Sequence, residues 1–197
     1  MRHYLIAALM AGATATPAFA QDTTPSPLSS AGFHIEVLGG YDSSRIYTDD
    51  DGGVVYGIGA GYDLMAGRVL LGIEAEASDS TNRGCDSGLV TPADQICARA
   101  SRDFYVGGRA GTHVARNVLL YAKAGYTNAR FRIDYDDGTP AGTSNFSIND
   151  NLDGIRVGLG AEFAVGRNAF IRTEGRYSNY EGGSDRGQVI GGFGLRF

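Results

Sequence analysis

The side chains between Asn149 and Gly154 have the spacing of a metal-binding loop. Asn149, Asn151 and Asp153 alternate as oxygen ligands do in the first half of a calcium loop, and Gly154 follows where the chain must turn. The twelfth position is Gly160, where such a loop needs a glutamate with two ligating oxygens. We therefore interpret the segment as a polar turn, and the sequence predicts neither a metal site nor a cofactor.

The first twenty residues have the organisation of a secretory signal peptide. A short basic start precedes a small apolar stretch, and Ala18-Phe19-Ala20 fits the cleavage motif. The apolar stretch is shorter than the roughly 20 residues that a helix needs to span a bilayer of about 30 Å. We expect residues 1–20 to be a signal peptide, residues 21–31 a flexible lead-in, and residues 32–197 a single domain.

Cys85 and Cys97 are the only two cysteines in the chain. Two thiols without a nearby histidine are a poor zinc site. Export through an oxidising compartment favours a disulfide between them instead. We expect this bond to stiffen the longest loop of the protein.

Eight segments of the chain alternate between apolar and polar residues with the period of two that β-strands show. They cover about residues 33–42, 55–64, 69–78, 103–114, 118–127, 155–163, 171–178 and 188–197. Short connections at 65–68, 115–117 and 166–168 alternate with long polar ones at about 43–53, 79–102, 135–152 and 180–187. All short turns should therefore lie at one end of the sheet and all long loops at the other. The fold class that follows is all-β, an eight-stranded antiparallel up-and-down transmembrane barrel.

The charges on the polar face of these strands help to distinguish a transmembrane barrel from a soluble one. A soluble barrel of eight strands would place its apolar residues inside, whereas lipid around a transmembrane barrel requires them outside. Charges inside a narrow barrel persist only as paired and hydrogen-bonded groups. We therefore predict a lumenal charge network made of Glu36, Glu74, Glu76, Arg109, Lys123, Arg156, Glu162, Arg172, Glu174, Arg176 and Arg196.

Outward-facing aromatic residues cluster near both ends of the predicted strands. The set near the long loops is Tyr41, Tyr56, Phe104, Tyr126 and Tyr177, and the set near the short turns is Phe33, Tyr62, Phe163 and Phe197. Transmembrane barrels carry two aromatic girdles of this kind at the membrane interfaces.

The alternation over residues 32–197, the lumenal charges, the glycine-rich strands and a final Phe197 resemble the small opacity-type, OmpA/OmpX-like outer-membrane barrels, including the "porin family" proteins of Gram-negative bacteria. The segment Glu174-Gly-Arg-Tyr-Ser-Asn-Tyr180 resembles the penultimate strand of that family. The resemblance implies residence in the outer membrane, with outer-membrane lipid and lipopolysaccharide as surroundings. It also implies that Phe197 is the signal read by the barrel-insertion machinery.

An enzyme is a further possibility, because Arg176-Tyr-Ser178-Asn179 resembles the His-x-Ser-Asn segment of the lipid A deacylase family. Arginine stays protonated and cannot act as the general base that a nucleophilic serine requires. His34 and His113 stand alone on the predicted inner face. The sequence therefore predicts no catalytic residues.

The favoured function is structural or surface-interacting: a monomer that supports envelope integrity or adhesion and displays four loops. Its loop ligand is not identified by the sequence, and no nucleic-acid partner is expected. A narrow pore for ions or small solutes, and a secreted soluble barrel that binds a ligand, are the alternatives.

Overall fold

The structure is a computed structural model, and it describes residues 31–46, 49–81, 83–88, 94–138, 145–181 and 184–197. The expected signal peptide and all of the lead-in except Ala31 lie outside these ranges. Among the described residues, no helix is long and apolar enough to cross a membrane. The strands are β1 (Gly32–Ile46), β2 (Asp49–Ala66), β3 (Val69–Ser80), β4 (Arg83–Ser87), β5 (Gln95–Ala115), β6 (Val118–Asp136), β7 (Phe146–Ala164), β8 (Ala169–Tyr180) and β9 (Ser184–Arg196).

Eight of these strands close into an antiparallel barrel, as the alternation predicts. The order is β3-β2-β1-β9-β8-β7-β6-β5, and pairing of β3 with β5 completes the ring. The start of β1 meets the residue after β9, because the amide of Phe197 donates to the carbonyl of Phe33 at 2.8 Å. The short strand β4 pairs with β5 beyond the end of β3.

The apolar side chains of the barrel point outward and the charged ones point inward. Large aliphatic residues such as Ile58, Ile73 and Leu159 are exposed to between 63 and 70% on the outer face. The alternative of a soluble ligand-binding barrel is wrong, because that fold would bury these residues. All nine predicted girdle aromatics are on the exposed face.

The strands continue beyond the predicted ends and occupy most of the predicted long loops. β6 runs to Asp136 and β7 begins at Phe146, so much of the loop predicted at 135–152 is strand. β4 and the start of β5 lie within the loop predicted at 79–102. Beyond the lipid both faces of a strand meet water, so ladder hydrogen bonds persist while the apolar alternation disappears. We call β4 and residues 95–102, 129–136 and 146–153 of β5, β6 and β7 the distal extension.

A β-bulge separates the distal extension of β5 from its barrel segment. Ala100 pairs with Phe131 and Asp103 pairs with Ala129, so β5 has one residue more than β6 in this interval. One extra residue exchanges the two faces of a strand. Asp103 faces the lumen, and Arg99 therefore faces outward although both have odd numbers.

Candidate functional site

The lumen is the most distinctive chemical site of the described structure. All eleven predicted charged residues project into it, and ten of them are buried, while Arg196 at the short-turn end is half-buried. Most of their ion pairs join different strands of the barrel, and Glu174 also contacts Arg172 and Arg176 on its own strand. The network has three levels, which we call the lower, middle and upper levels from the short turns to the long loops.

The middle level centres on the ammonium group of Lys123. Lys123 Nζ lies 2.8 Å from Glu74 Oε1, 2.7 Å from Glu76 Oε1 and 2.9 Å from Glu174 Oε1. The three carboxylates are close enough together to hold a metal ion. The lysine ammonium group lies among them instead, within ion-pair distance of all three and hydrogen-bonded to Glu76, so this space is filled by a protein cation.

Two arginines of β8 complete the middle level. Arg172 contacts Glu36 at 2.8 Å and Glu76 at 2.7 Å. Arg176 contacts Glu76 at 2.8 Å and Glu174 at 2.9 Å. Each of these carboxylates thus keeps a cation within hydrogen-bonding distance, which offsets the cost of removing the charges from water.

The lower level joins β1, β2, β5, β7 and β9. Arg109 donates two hydrogen bonds to the carboxylate of Asp63, one from Nε to Oδ1 at 2.8 Å and one from Nη2 to Oδ2. Asp63 also lies 3.2 Å from the Nδ1 atom of His34. Arg196 pairs with Glu162 at 2.8 Å, so the last charged residue of the chain is tied to the barrel wall.

The upper level closes the lumen where β5 changes face at the bulge. The carboxylate of Asp103 accepts hydrogen bonds from Arg156, from Arg186 Nη1 at 2.9 Å and from the hydroxyl of Tyr180 at 3.0 Å. Arg186 also donates twice to Asp42. This level therefore ties β1, β5, β7, β8 and β9 together.

Sequence reasoning missed four charged members of this network. Asp42, Asp63 and Asp103 were on the polar face of the predicted alternation, which is the signal that could have added them. Arg186 lay in the loop predicted at 180–187, where no inward or outward face was assigned. His113 pairs with Leu119, which is buried inside the barrel, but His113 itself is exposed beside a register shift near the end of β5.

Lumenal glycines provide the space that these long side chains need. A methyl group on Gly59 would lie 2.6 Å from Glu36 Oε1, and one on Gly160 would lie 2.5 Å from the Tyr121 ring. Tyr121 donates its hydroxyl proton to Glu174 at 2.7 Å, so it belongs to the middle level. The glycine pattern in the sequence is thus a packing requirement of a filled interior.

Ser178 is held in a position that does not suit a nucleophile. Its hydroxyl is buried and accepts a hydrogen bond from Arg156 Nε at 2.8 Å. Asn179, the next residue, points outward and donates to Asp185 at 2.6 Å. Among the described residues, the partners of Ser178 are therefore those of the upper level and include no histidine.

The segment interpreted as a polar turn is part of strand β7. Asn149 accepts a hydrogen bond from Arg132 at 2.8 Å, and Asn151 accepts one from Arg130 at 3.2 Å. These cross-strand contacts explain why the chain stays extended despite its turn-forming residues. The predicted disulfide between Cys85 and Cys97 is present and joins β4 to β5.

A closed barrel with lipid-compatible outer residues, two aromatic girdles and a charged, filled lumen defines the class of outer-membrane β-barrels. The comparison with family models agrees, because residues 6–197 match the model of the outer membrane protein beta-barrel domain. This chain belongs to that family and resides in the outer membrane of a Gram-negative bacterium.

Two solved structures illustrate the similarity of fold. Ail, the attachment invasion locus protein of Yersinia pestis, is 17% identical over 85% of this chain and 99% of that chain, with a TM-score of 0.53. Neisserial surface protein A (NspA) is 15% identical over 85% of this chain and 98% of that chain, with a TM-score of 0.56. A comparison with curated protein sequences gave no match.

Proposed function

We propose that the protein is a non-enzymatic barrel that seals its own lumen and holds an interaction surface outside the membrane. The observation that carries the proposal is the three-level network, in which eight carboxylates face seven arginine and lysine side chains inside the barrel. Eight-stranded barrels are just wide enough for side chains to fill them. A filled interior favours an envelope-supporting and surface-interacting role over a pore.

Ion conductance across a planar lipid bilayer tests the sealed lumen. The unmodified barrel is expected to give no steady current above that of the lipid alone. The Lys123→Ala, Arg172→Ala double variant removes two cations that bridge the middle level, and it is expected to conduct if it folds. A steady current through the unmodified barrel would favour the alternative of a narrow pore and contradict the proposal.

An apolar strip on the distal extension supports a surface-interaction role. Ile133 pairs with Ile148, and Tyr135 stacks on Phe146 with ring centroids 5.2 Å apart. Ile133, Phe146 and Ile148 are exposed to between 43 and 53%. Ile133 lies seven residues beyond the girdle residue Tyr126, about 23 Å along the strand, so lipid does not explain the strip.

Adhesion of cells that display the protein tests this role. The Ile133→Thr, Ile148→Thr variant keeps β-branched residues in the ladder but removes apolar surface, and it should reduce attachment to host cells or to neighbouring bacteria. The Ser147→Thr, Asp150→Asn variant changes exposed polar residues of β7 and serves as the control. Equal attachment by both variants would separate the adhesion proposal from the sealed-lumen proposal and reject the former.

A further inference from the structure

Four arginines form a patch on the outer face of the distal extension. Arg83 on β4 is directly opposite Arg99 on β5, and Arg99 is directly opposite Arg132 on β6. Arg130 lies two residues from Arg132 on the same face of β6. Residues directly opposite each other in a sheet have Cα atoms about 4.5–5.5 Å apart, so the three aligned guanidinium groups share a narrow area.

The orientation of this arginine patch follows from the residues below it. Lys123, Thr127 and Ala129 of β6 are buried on the lumenal side, so Arg130 and Arg132 must project from the outer side. The bulge in β5 turns Arg99 to that same side. The patch therefore faces the surrounding membrane surface rather than the mouth of the barrel.

The patch lies just above the polar headgroup layer of the membrane. Arg130 and Arg132 are four and six residues beyond the girdle residue Tyr126, about 13 and 20 Å along the strand. Strand tilt of roughly 40° reduces these lengths to about 10 and 15 Å above the girdle. Headgroups extend roughly 5–8 Å beyond the hydrocarbon core, and flexible arginine side chains can bend back toward them.

The positive charge of the patch is left largely uncompensated by the protein. Arg130 and Arg132 each donate through Nε to a neutral asparagine, Asn151 and Asn149 respectively. Among the residues whose side chains the structure describes, no carboxylate forms an ion pair with any of the four arginines. Like charges directly opposite each other destabilise a sheet, so an external anion would relieve a cost that the fold carries.

One outward carboxylate near the patch is already engaged by other residues. Asp153 accepts hydrogen bonds from the Tyr126 hydroxyl at 2.5 Å and from the Asn128 amide at 2.6 Å. These two donors lower the pKa of Asp153 below its ordinary value. Asp134 also lies on the outer face, two residues beyond Arg132, and leaves the patch with an excess of positive charge.

The disulfide fixes the register of the patch. Cys85 and Cys97 are directly opposite each other with Cα atoms 4.1 Å apart, two residues from the Arg83 and Arg99 pair. Arg83 Nη2 also lies 3.4 Å from Cys97 Sγ. Because β4 is only five residues long, the covalent bond is what holds Arg83 beside Arg99.

We propose that Arg83, Arg99, Arg130 and Arg132 bind phosphate groups of the outer-leaflet glycolipid, lipopolysaccharide. Guanidinium groups bind phosphate oxygens with two parallel hydrogen bonds and remain charged at all physiological pH values. A row of three such groups, running across neighbouring strands just above the headgroup layer, matches a lipid that carries several phosphates close to the membrane. The site is distinct from the lumen and from the apolar strip.

Binding of lipopolysaccharide to the reconstituted protein tests the proposal. The folded barrel in uncharged phosphatidylcholine vesicles is titrated with lipopolysaccharide and with the same material after enzymatic removal of its phosphates. The Arg99→Gln, Arg132→Gln variant should bind the phosphorylated form about tenfold more weakly, or worse. The control is Arg116→Gln, Arg167→Gln, which neutralises two exposed arginines on the short turns and should bind as the unmodified protein does.

Each outcome of the titration decides the proposal. Retained resistance to detergent before boiling, seen as a faster band on a gel, shows that each variant is folded. Equal affinity of the Arg99→Gln, Arg132→Gln variant and its control, or equal affinity for the dephosphorylated lipid, would overturn the proposal. Competition by inorganic phosphate at low millimolar concentration would identify a site for free anions and would equally overturn the assignment to lipid.

Discussion

Replacing Lys123 by methionine is the most direct perturbation of the lumen. Methionine keeps an unbranched side chain but has no charge and no donor, so the contacts of 2.7–2.9 Å to Glu74, Glu76 and Glu174 are lost. The three carboxylates then face one another with oxygen atoms within 4.8 Å. Water cannot solvate them fully, because their side chains are no more than 1% exposed.

The expected loss follows from the cost of leaving buried charges without a partner. Removing one member of a buried ion pair destabilises a protein by about 3–5 kcal/mol. Arg172 and Arg176 remain near Glu76 and Glu174, which keeps the loss within that range although three contacts are broken. For a chain of this length each kcal/mol corresponds to roughly 2–4 °C in Tm, so a decrease of about 6–20 °C is expected.

Unfolding of the barrel in detergent micelles measures this effect, with the unboiled band on a gel followed against temperature or urea concentration. The matched control is Arg167→Met, which removes a cation from an exposed turn and should change the stability by less than about 0.5 kcal/mol. Adding Glu74→Gln to the Lys123→Met variant removes one stranded carboxylate and should recover part of the loss. A Lys123→Met variant as stable as the control would refute the interpretation of the middle level as a dry, paired network.

Two other variants test packing and the disulfide. Gly160→Ala should destabilise the barrel by about 1–3 kcal/mol, because the added methyl clashes with Tyr121. The control Gly175→Ala has nothing within 4 Å of the added methyl and should be neutral in the same assay. Equal effects of the two substitutions would contradict the packing argument. Replacing Cys85 and Cys97 together by serine should expose residues 83–99 to proteases on intact cells while leaving the unboiled band unchanged. Loss of that band would mean that the disulfide stabilises the barrel itself.

The part of the fold that lies in the membrane is predictable because two solvents impose the pattern. Lipid outside and charges inside force apolar and polar residues to alternate along each strand. Glu74, Glu76 and Glu174 could therefore be assigned to one face from sequence alone. Most of their individual partners could not, because contacts such as those of Arg176 with Glu76 and of Lys123 with Glu74 join residues far apart in the chain.

The distal extension was predicted as loops because water on both sides removes that pattern. Asn149 and Asn151 have turn preferences, and only their cross-strand contacts with arginine show why they remain in a strand. Arg186 was left out of the predicted lumenal network for the same reason. The sequence of a long polar segment in a barrel therefore does not show whether the segment forms a loop or continues the sheet. The outcome depends on whether its residues find hydrogen-bonding partners on a neighbouring strand.

The bulge at Ala100–Asp103 links the lumenal network to the proposed phosphate-binding patch. An uninterrupted β5 would direct Arg99 and Cys97 toward the lumen, because they share the parity of Asp103. The extra residue instead lets Asp103 complete the upper level of the lumen while Arg99 joins the outer patch. Since Asp103 is fixed by Arg156, Arg186 and Tyr180 from across the barrel, the sealed lumen also sets the direction in which the distal extension leaves the membrane. The irregularity thus allows one strand to contribute to a buried ion-pair network and to the proposed anion site within a few residues.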